Sequence, residues 1–412
     1  MNNIIYKRCT SKTWLLFLTI ASVIATIAYI AICQKLDINE FGEQFSSLDL
    51  FNDVFTRMKS DYGNSIMDRK SKPVVIYVYN DAKINFFPYN MYHEGRTSNK
   101  CSSNCIYTHD RRLYPWADVV LVHHWVFKTD TSHLKKLRAK NKMVPWIWYE
   151  LESPVNTFGL SDIPDDMFQL TSTYQNDSDI WQPYCMIVPR QDNNRTSAAT
   201  PKTLTNDANY SAGKTKMALI FMTHCVGYRQ KLVNKFKQYI SVDFVGPCSN
   251  ENVVECPRDS DECVEKQKQY KFFLSWENSY CDGYITEKFF ERSLQIGLVP
   301  VILTNGYLSD STVAPPGSYI NILDYPDIES LAKHLKYLDG NDTAYNEYHA
   351  WRKNYDAPII DFHCSMCQKL WEKEIWKIKP GDTWNKNLAN YWNSEKKCIS
   401  YDDHEMFQKY LK

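Results

Sequence analysis

Between residues 271 and 303 the chain switches between apolar runs and short polar breaks. Residues 271–276, K-F-F-L-S-W, are short, aromatic and apolar, which predicts a buried strand. Residues 277–283 are polar and end in Gly283, a turn signal. Thr286 then precedes Glu287, Lys288 and the apolar set Phe289, Phe290, Leu294 and Ile296 at roughly helical spacing, with Gly297 as a helix stop. Residues 299–303, V-P-V-I-L, predict a second buried strand. The run reads as strand, loop, helix, strand, a βαβ unit. The same alternation recurs on both sides. Strands are predicted at 73–79, 117–124 and 145–151, with a basic helix at 130–142. Further along come strands at 216–223, 242–246 and 318–325, and helices at 230–239, 328–338 and 343–354. Strands alternating with helices predict parallel sheets with helices on their faces. Residues 191–214 are polar with no apolar period and read as a linker between two such halves.

A βαβ unit binds ligands at the carboxyl ends of its strands, beside a helix N-terminus. Glu277, Asn278, Tyr284, Glu287 and Lys288 fall at that end, where a helix dipole favours a negative ligand. A nucleotide-sugar diphosphate fits such a set. In the first half, Glu152 follows the 145–151 strand and precedes Ser153-Pro154, which keeps it at a strand's carboxyl end. Glu150, two residues earlier on the same strand face, is its nearest rival as a proton acceptor. Arg229 sits near the start of the 230–239 helix, where a guanidinium can grip phosphate oxygens. His123 and His124 are read as strand neighbours that point to opposite faces and so cannot easily share a ligand. Asp177-Ser-Asp179 is formally a D-x-D metal pattern, although it lies in a sequon.

The chain's start changes the picture. Residues 14–33 carry no charge over 20 positions, enough for a helix of about 30 Å, and Lys7, Arg8 and Lys12 precede them. That pattern predicts a transmembrane signal anchor with the remainder on the far side of the membrane, against a cleaved signal peptide as the rival. In residues 34–71, Phe41, Phe45, Leu48, Phe51, Val54, Phe55 and Met58 recur at helical spacing. They read as a stem helix, either a spacer or a homodimer contact. Four sequons, at Asn176, Asn194, Asn209 and Asn341, fit a secretory lumen. So do the 11 cysteines beyond the anchor, whose odd number leaves at least one free or paired between chains. Lys and Arg total 48 against 48 Asp and Glu, so nothing points to a nucleic-acid partner.

The run F-L-S-W-E-N-S followed by Y-I-T-E-K-F-F resembles the signature of the α1,3-fucosyltransferase family, and the likeness extends over roughly residues 73–370. Trp276, Gly283 and His224 depart from the family pattern. The resemblance implies a GT-B arrangement, two facing doubly wound α/β domains behind the anchor. Residues 1–13 would be a cytoplasmic tail, 14–33 the anchor, 34–71 the stem and 72–190 an acceptor-binding domain. Residues 191–214 would be the linker, 215–363 a GDP-fucose domain and 364–412 a Cys- and Trp-rich segment packing back on the first domain. It further implies Glu152 as general base, and Arg229, Asn278, Tyr284, Glu287 and Lys288 as donor-binding residues. Cys101 and Cys105 would be disulfide partners of Cys364 and Cys367. The implied substrates are GDP-fucose and a GlcNAc-containing glycan, in the Golgi, with no metal required and a divalent ion only as an optional stimulant. Two rivals are a metal-dependent transferase using Asp177 and Asp179, and a catalytically silent glycan-binding homologue.

Overall fold

The computed structural model describes residues 73–79, 95–96, 101–140, 143–190, 208–225, 227–249, 253–257, 260–358, 361–378 and 387–412. The anchor, the stem and Asn194 lie outside the described residues. Among the described residues no helix is long and apolar enough to cross a membrane.

The first sheet has seven strands: β1 (Val74–Tyr79), β2 (Gly95–Arg96), β3 (Cys105–Thr108), β4 (Val119–His123), β5 (Trp146–Glu150), β6 (Leu170–Thr173) and β7 (Ile180–Trp181). Then follow β8 (Val188–Pro189), β9 (Lys216–Phe221), β10 (Val242–Val245), β11 (Tyr270–Trp276) and β12 (Tyr280–Cys281). The last are β13 (Val299–Leu303), β14 (Ile320–Asn321), β15 (Tyr355–Asp356) and β16 (Cys398–Ile399). Spatial order in the first sheet is β2-β3-β1-β4-β5-β6-β7, and in a second, five-stranded sheet β10-β9-β11-β13-β14. Only β2 runs antiparallel within these two sheets. In each sheet the first strand of the unit lies inside: β1 is flanked by β3 and β4, and β9 by β10 and β11. That reversal is a topological switch point, where doubly wound sheets open a crevice at their carboxyl ends.

The sheets are covered on both faces, as parallel sheets must be. On β1, Val74, Ile76 and Val78 join one apolar cluster while Tyr77 and Tyr79 join another. On β11, Phe272, Leu274 and Trp276 face one core and Phe273 the other. The Ile328–Asp339 helix shows why local sequence suffices there. Asp327 caps its start by accepting from the Ser330 amide at 2.7 Å. Ile328, Leu331, Ala332, Leu335 and Leu338 then make one buried stripe.

Four readings are corrected. First, no α-helix starts at Thr286. The amides of Arg292, Leu294 and Gln295 bond back five residues, to Glu287, Phe289 and Phe290. The Lys288 carbonyl is occupied instead by the hydroxyls of Ser275 at 2.9 Å and Ser293 at 2.6 Å, which opens the turn. Gly297, at φ +85°, still closes the segment. Second, the strand expected at 318–325 is only Ile320–Asn321, because the Asn321 side chain accepts from the Leu323 amide and starts a 3-10 turn. Third, β4 ends at His123. His124 opens a helix, His124–Lys140, so the two imidazoles are not strand neighbours. Fourth, the tail does not all return to the first half. The Phe362–Glu372 helix and Trp392 pack there, but Phe407 and Tyr410 are buried in the core of the second sheet. The Tyr410 hydroxyl donates to the Ile322 carbonyl at 2.9 Å and completes that seat.

Five disulfides link the described cysteines: Cys101–Cys364, Cys105–Cys367, Cys225–Cys248, Cys256–Cys263 and Cys281–Cys398. Cys185 is the free, buried thiol among them, pushed up to about 12 by burial.

Candidate active site

A cavity of about 330 Å³ opens at the carboxyl ends of β9, β10 and β11. Its walls include Met222, Thr223 and His224 after β9, Gly246 after β10 and Asn278 after β11. Gly246 is at φ +116°, and a Cβ there would lie 2.3 Å from the Met222 carbonyl oxygen. Only glycine lets these two strand ends meet so closely. The first half contributes Glu152, two residues past β5, and Tyr184.

All six candidates named from the sequence, Glu152, Arg229, Asn278, Tyr284, Glu287 and Lys288, line this one cavity. Glu152 Oε2 accepts from the Tyr284 hydroxyl at 3.1 Å and the Asn278 amide at 3.4 Å, so groups from the second half hold a carboxylate from the first. Burial pushes the Tyr284 phenol well above its ordinary range, which keeps it a donor. Arg229 is buried near the start of the Tyr228–Phe236 helix and donates to the Trp276 carbonyl at 3.2 Å. Burial draws its guanidinium down from its ordinary value, opposed chiefly by Glu277.

Lys288 is held from behind. Its Nζ lies 3.0 Å from buried Glu277 Oε2, 3.3 Å from Glu287 Oε1 and 2.9 Å from Thr286 Oγ1. Burial alone would lower this ammonium, but Glu277 and then Glu287 outweigh it and raise it, so it stays charged. Glu277 is itself fixed by the Thr286 amide and hydroxyl at 2.9 and 2.8 Å. The notional helix dipole is replaced at this place by a network of fixed side chains.

Glu150 has another role than Glu152. It is fully buried, its Oε1 accepts from the Glu152 amide at 2.7 Å, and burial raises its carboxyl to about 8. Asp177 and Asp179 line neither this cavity nor the larger one described next, and they face different partners. Asp179 Oδ2 accepts from the Thr171 amide and hydroxyl, each at 3.0 Å, while Asp177 Oδ1 accepts from the Tyr391 hydroxyl at 3.0 Å. His124 Nε2 donates to the Phe158 carbonyl at 2.8 Å, and the Trp148 indole donates to its Nδ1 at 3.3 Å. His123 is buried and lowered to about 3 by that burial. Gly283, at φ +71°, lies under Tyr307, whose ring would sit 2.7 Å from a Cβ, which accounts for glycine at that departure.

A second cavity, of about 870 Å³, adjoins the first and shares Glu152, His224, Arg229 and Asn278 with it. Tyr184, Gly246 and Ser279 had not been singled out from the sequence. Tyr184 closes the Y-Q-N-D-S-D-I-W-Q-P-Y run, the available signal, and donates to the Leu151 carbonyl at 2.8 Å. Ser279 Oγ lies 2.7 Å from Ser153 Oγ and ties the halves beside Glu152.

Asn176 and Asn209 are exposed, and Asn341 caps the Asp342–Glu347 helix through Oδ1 while its Nδ2 donates to the Tyr337 hydroxyl at 3.1 Å.

Two doubly wound sheets that deliver their carboxyl ends to adjoining cavities define a two-site α/β enzyme. Residues 71–185 match the family described as "Fucosyltransferase, N-terminal", and residues 211–382 match "Glycosyltransferase family 10 (fucosyltransferase) C-term". The chain belongs to the fucosyltransferases of glycosyltransferase family 10. It is similar to alpha-(1,3)-fucosyltransferase fut-5 of Caenorhabditis elegans, 29% identical over 398 residues, which are 92% of this chain and 97% of the relative. For fut-6 of the same organism the identity is 29% over 365 residues, 85% and 87% of the two chains. A solved structure, "Crystal Structure of alpha1,3-Fucosyltransferase with GDP-fucose", is 15% identical with a TM-score of 0.45, covering 76% of this chain and 94% of that one.

Proposed function

We propose that this chain transfers L-fucose from GDP-β-L-fucose, in α1,3 linkage, to a GlcNAc residue of a glycan, as a GT-B enzyme held in the Golgi membrane by residues 14–33. One observation carries the reading: Glu152 and Arg229 stand on the wall common to the two cavities, and Lys288 lines the smaller one. The donor's diphosphate then belongs in the smaller cavity, at the switch-point end of the second sheet, and the acceptor in the larger. The Caenorhabditis elegans relatives fut-5 and fut-6 are named for α1,3-fucosyl transfer, which supports the same linkage here.

In this mechanism Glu152 removes the proton of the acceptor hydroxyl. The oxygen attacks the anomeric carbon as the bond to the β-phosphate oxygen breaks, so β-linked fucose becomes α-linked in one inverting step. The transition state is oxocarbenium-like. GDP leaves with its charge facing the Arg229 guanidinium and the Lys288 ammonium, both fixed in advance by neighbours. Asn278, Tyr284 and Glu287 complete the donor wall, Glu287 with a carboxylate suited to ribose hydroxyls. The side chains of this scheme need no bound metal. A D-x-D metal reading has no support, since Asp177 and Asp179 lie on neither cavity wall.

The test is to incubate the full chain with GDP-fucose and a panel of GlcNAc-containing acceptors. Fucosylated glycan and GDP are expected in equal amounts. Glycan binding without consumption of GDP-fucose would mean a silent homologue and overturn the proposal.

A further inference from the structure

The larger cavity has a wall that the family match does not reach. The matched region ends at residue 382, yet Ser394, Glu395, Ser400 and Asp402 line this cavity beside Glu152. Val155 and Phe158, which follow β5 and are 44% and 59% exposed, line the same cavity. Large apolar side chains that open to solvent beside a base call for an occupant with apolar faces. A pyranose ring has such a face, formed by its axial C–H groups, and hydroxyls around its edge for the polar wall.

This stretch of tail is held in place rather than draped. The Cys281–Cys398 disulfide ties it to β12, and β16 pairs with β12 in register, Tyr280 opposite Ile399. Tyr401 stacks on Tyr228 with centroids 5.1 Å apart, and its hydroxyl reaches the Glu277 carbonyl at 3.3 Å. Through these contacts the wall is tied to the same β11 end that carries Asn278. The cavity's volume, about 870 Å³, is more than twice the 330 Å³ of its neighbour, which leaves room beyond a single reacting sugar.

We infer that residues 394–402 and Phe158 line an extended acceptor subsite that holds the sugar residues next to the fucosylated GlcNAc, making the tail a specificity-determining element. This rests on the fucosyltransferase reading above. Phe158 offers the stacking face, and Glu395 accepts from sugar hydroxyls.

The test uses full-length wild type, Phe158→Ala and Glu395→Gln with GDP-fucose and two acceptors. One is the methyl β-glycoside of GlcNAc. The other is whichever of an N-glycan core, a LacNAc glycoside or a LacdiNAc glycoside the wild type fucosylates fastest. In both variants the ratio of kcat/KM for the extended over the single-sugar acceptor is expected to fall, by about fivefold to tenfold for Phe158→Ala. KM for GDP-fucose should stay within about twofold, which shows the donor half intact. An unmoved ratio in both variants overturns the subsite and leaves the fucosyltransferase reading standing. A wild type that fucosylates neither acceptor overturns both.

Discussion

The hydroxyl of Tyr284 donates to Glu152 Oε2 at 3.1 Å, joining a residue of the second sheet's loop to the carboxylate that follows the first sheet's β5. The proposed base is therefore oriented by the half that would hold the donor. A hydrogen bond to a charged group contributes about 1.5 to 3 kcal/mol. Tyr284→Phe is expected to lower kcat by about tenfold or more, with a smaller change in KM for GDP-fucose. Steady-state kinetics with varied donor would show it, and an unchanged kcat would remove Tyr284 from the orienting role.

Lys288 is expected to show two separable effects. Lys288→Ala removes a proposed phosphate partner and also strands Glu277, a buried carboxylate, without its cation. Breaking a buried pair from one side costs about 3 to 5 kcal/mol. Adding Glu277→Gln should restore much of the lost thermal stability without restoring GDP affinity. Arg229→Ala should weaken GDP binding by about tenfold or more, as expected for a charge-assisted contact. Calorimetric titration with GDP beside a melting curve for each variant separates the two effects.

Glu150 gives the fold a pH dependence of known sign. Its carboxyl is raised to about 8 by burial, against an ordinary value of 4.5. Between those values the folded chain keeps a proton that the unfolded chain has lost. The contribution of Glu150 is thus complete below about 4.5 and declines as pH rises towards 8, by at most about 1.4 kcal/mol per pH unit. Glu150→Gln keeps an oxygen for the Glu152 amide and cannot ionise. Its stability relative to wild type should rise between pH 5 and pH 8 in urea denaturation; parallel curves would exclude a proton on Glu150.

Cys101–Cys364 and Cys105–Cys367 close nearly the same loop, with sequence separations of 263 and 262. Once one is formed, the other closes only the short ring made by residues 101–105 and 364–367. Removing either bridge by a Cys→Ser pair should cost about 2 to 3 kcal/mol, and removing both should add the long-loop term of about 5 kcal/mol. Denaturation of the three variants checks this, and equal, additive losses would contradict it.

Much of the fold was legible because the central strands are continuous apolar runs. Residues 271–276 and 299–303 could scarcely be anything else, and the helix expected at 328–338 is there. What failed was decided at a distance. The loss of helix after Thr286 depends on Ser275, a residue of the preceding strand whose hydroxyl takes the Lys288 carbonyl. Phe407 and Tyr410 were visibly apolar, but nothing local says which core they enter. The pairing of Cys281 with Cys398 was equally hidden, since spacing does not fix connectivity. The six candidate site residues were named from a signature, a strand end and a helix start, and they line one cavity. Tyr184 and Gly246 escaped because their parts depend on close approach between segments, which no periodicity reports.

The most direct measurement compares full-length wild type and Glu152→Gln with GDP-fucose and the best GlcNAc acceptor, recording GDP affinity and the rate of fucosyl transfer together. The expected result is GDP affinity close to wild type with turnover lower by about a hundredfold or more. A Glu152→Gln chain that transfers fucose at the wild-type rate would contradict the placement of the base, and with it the account of how the two halves work together.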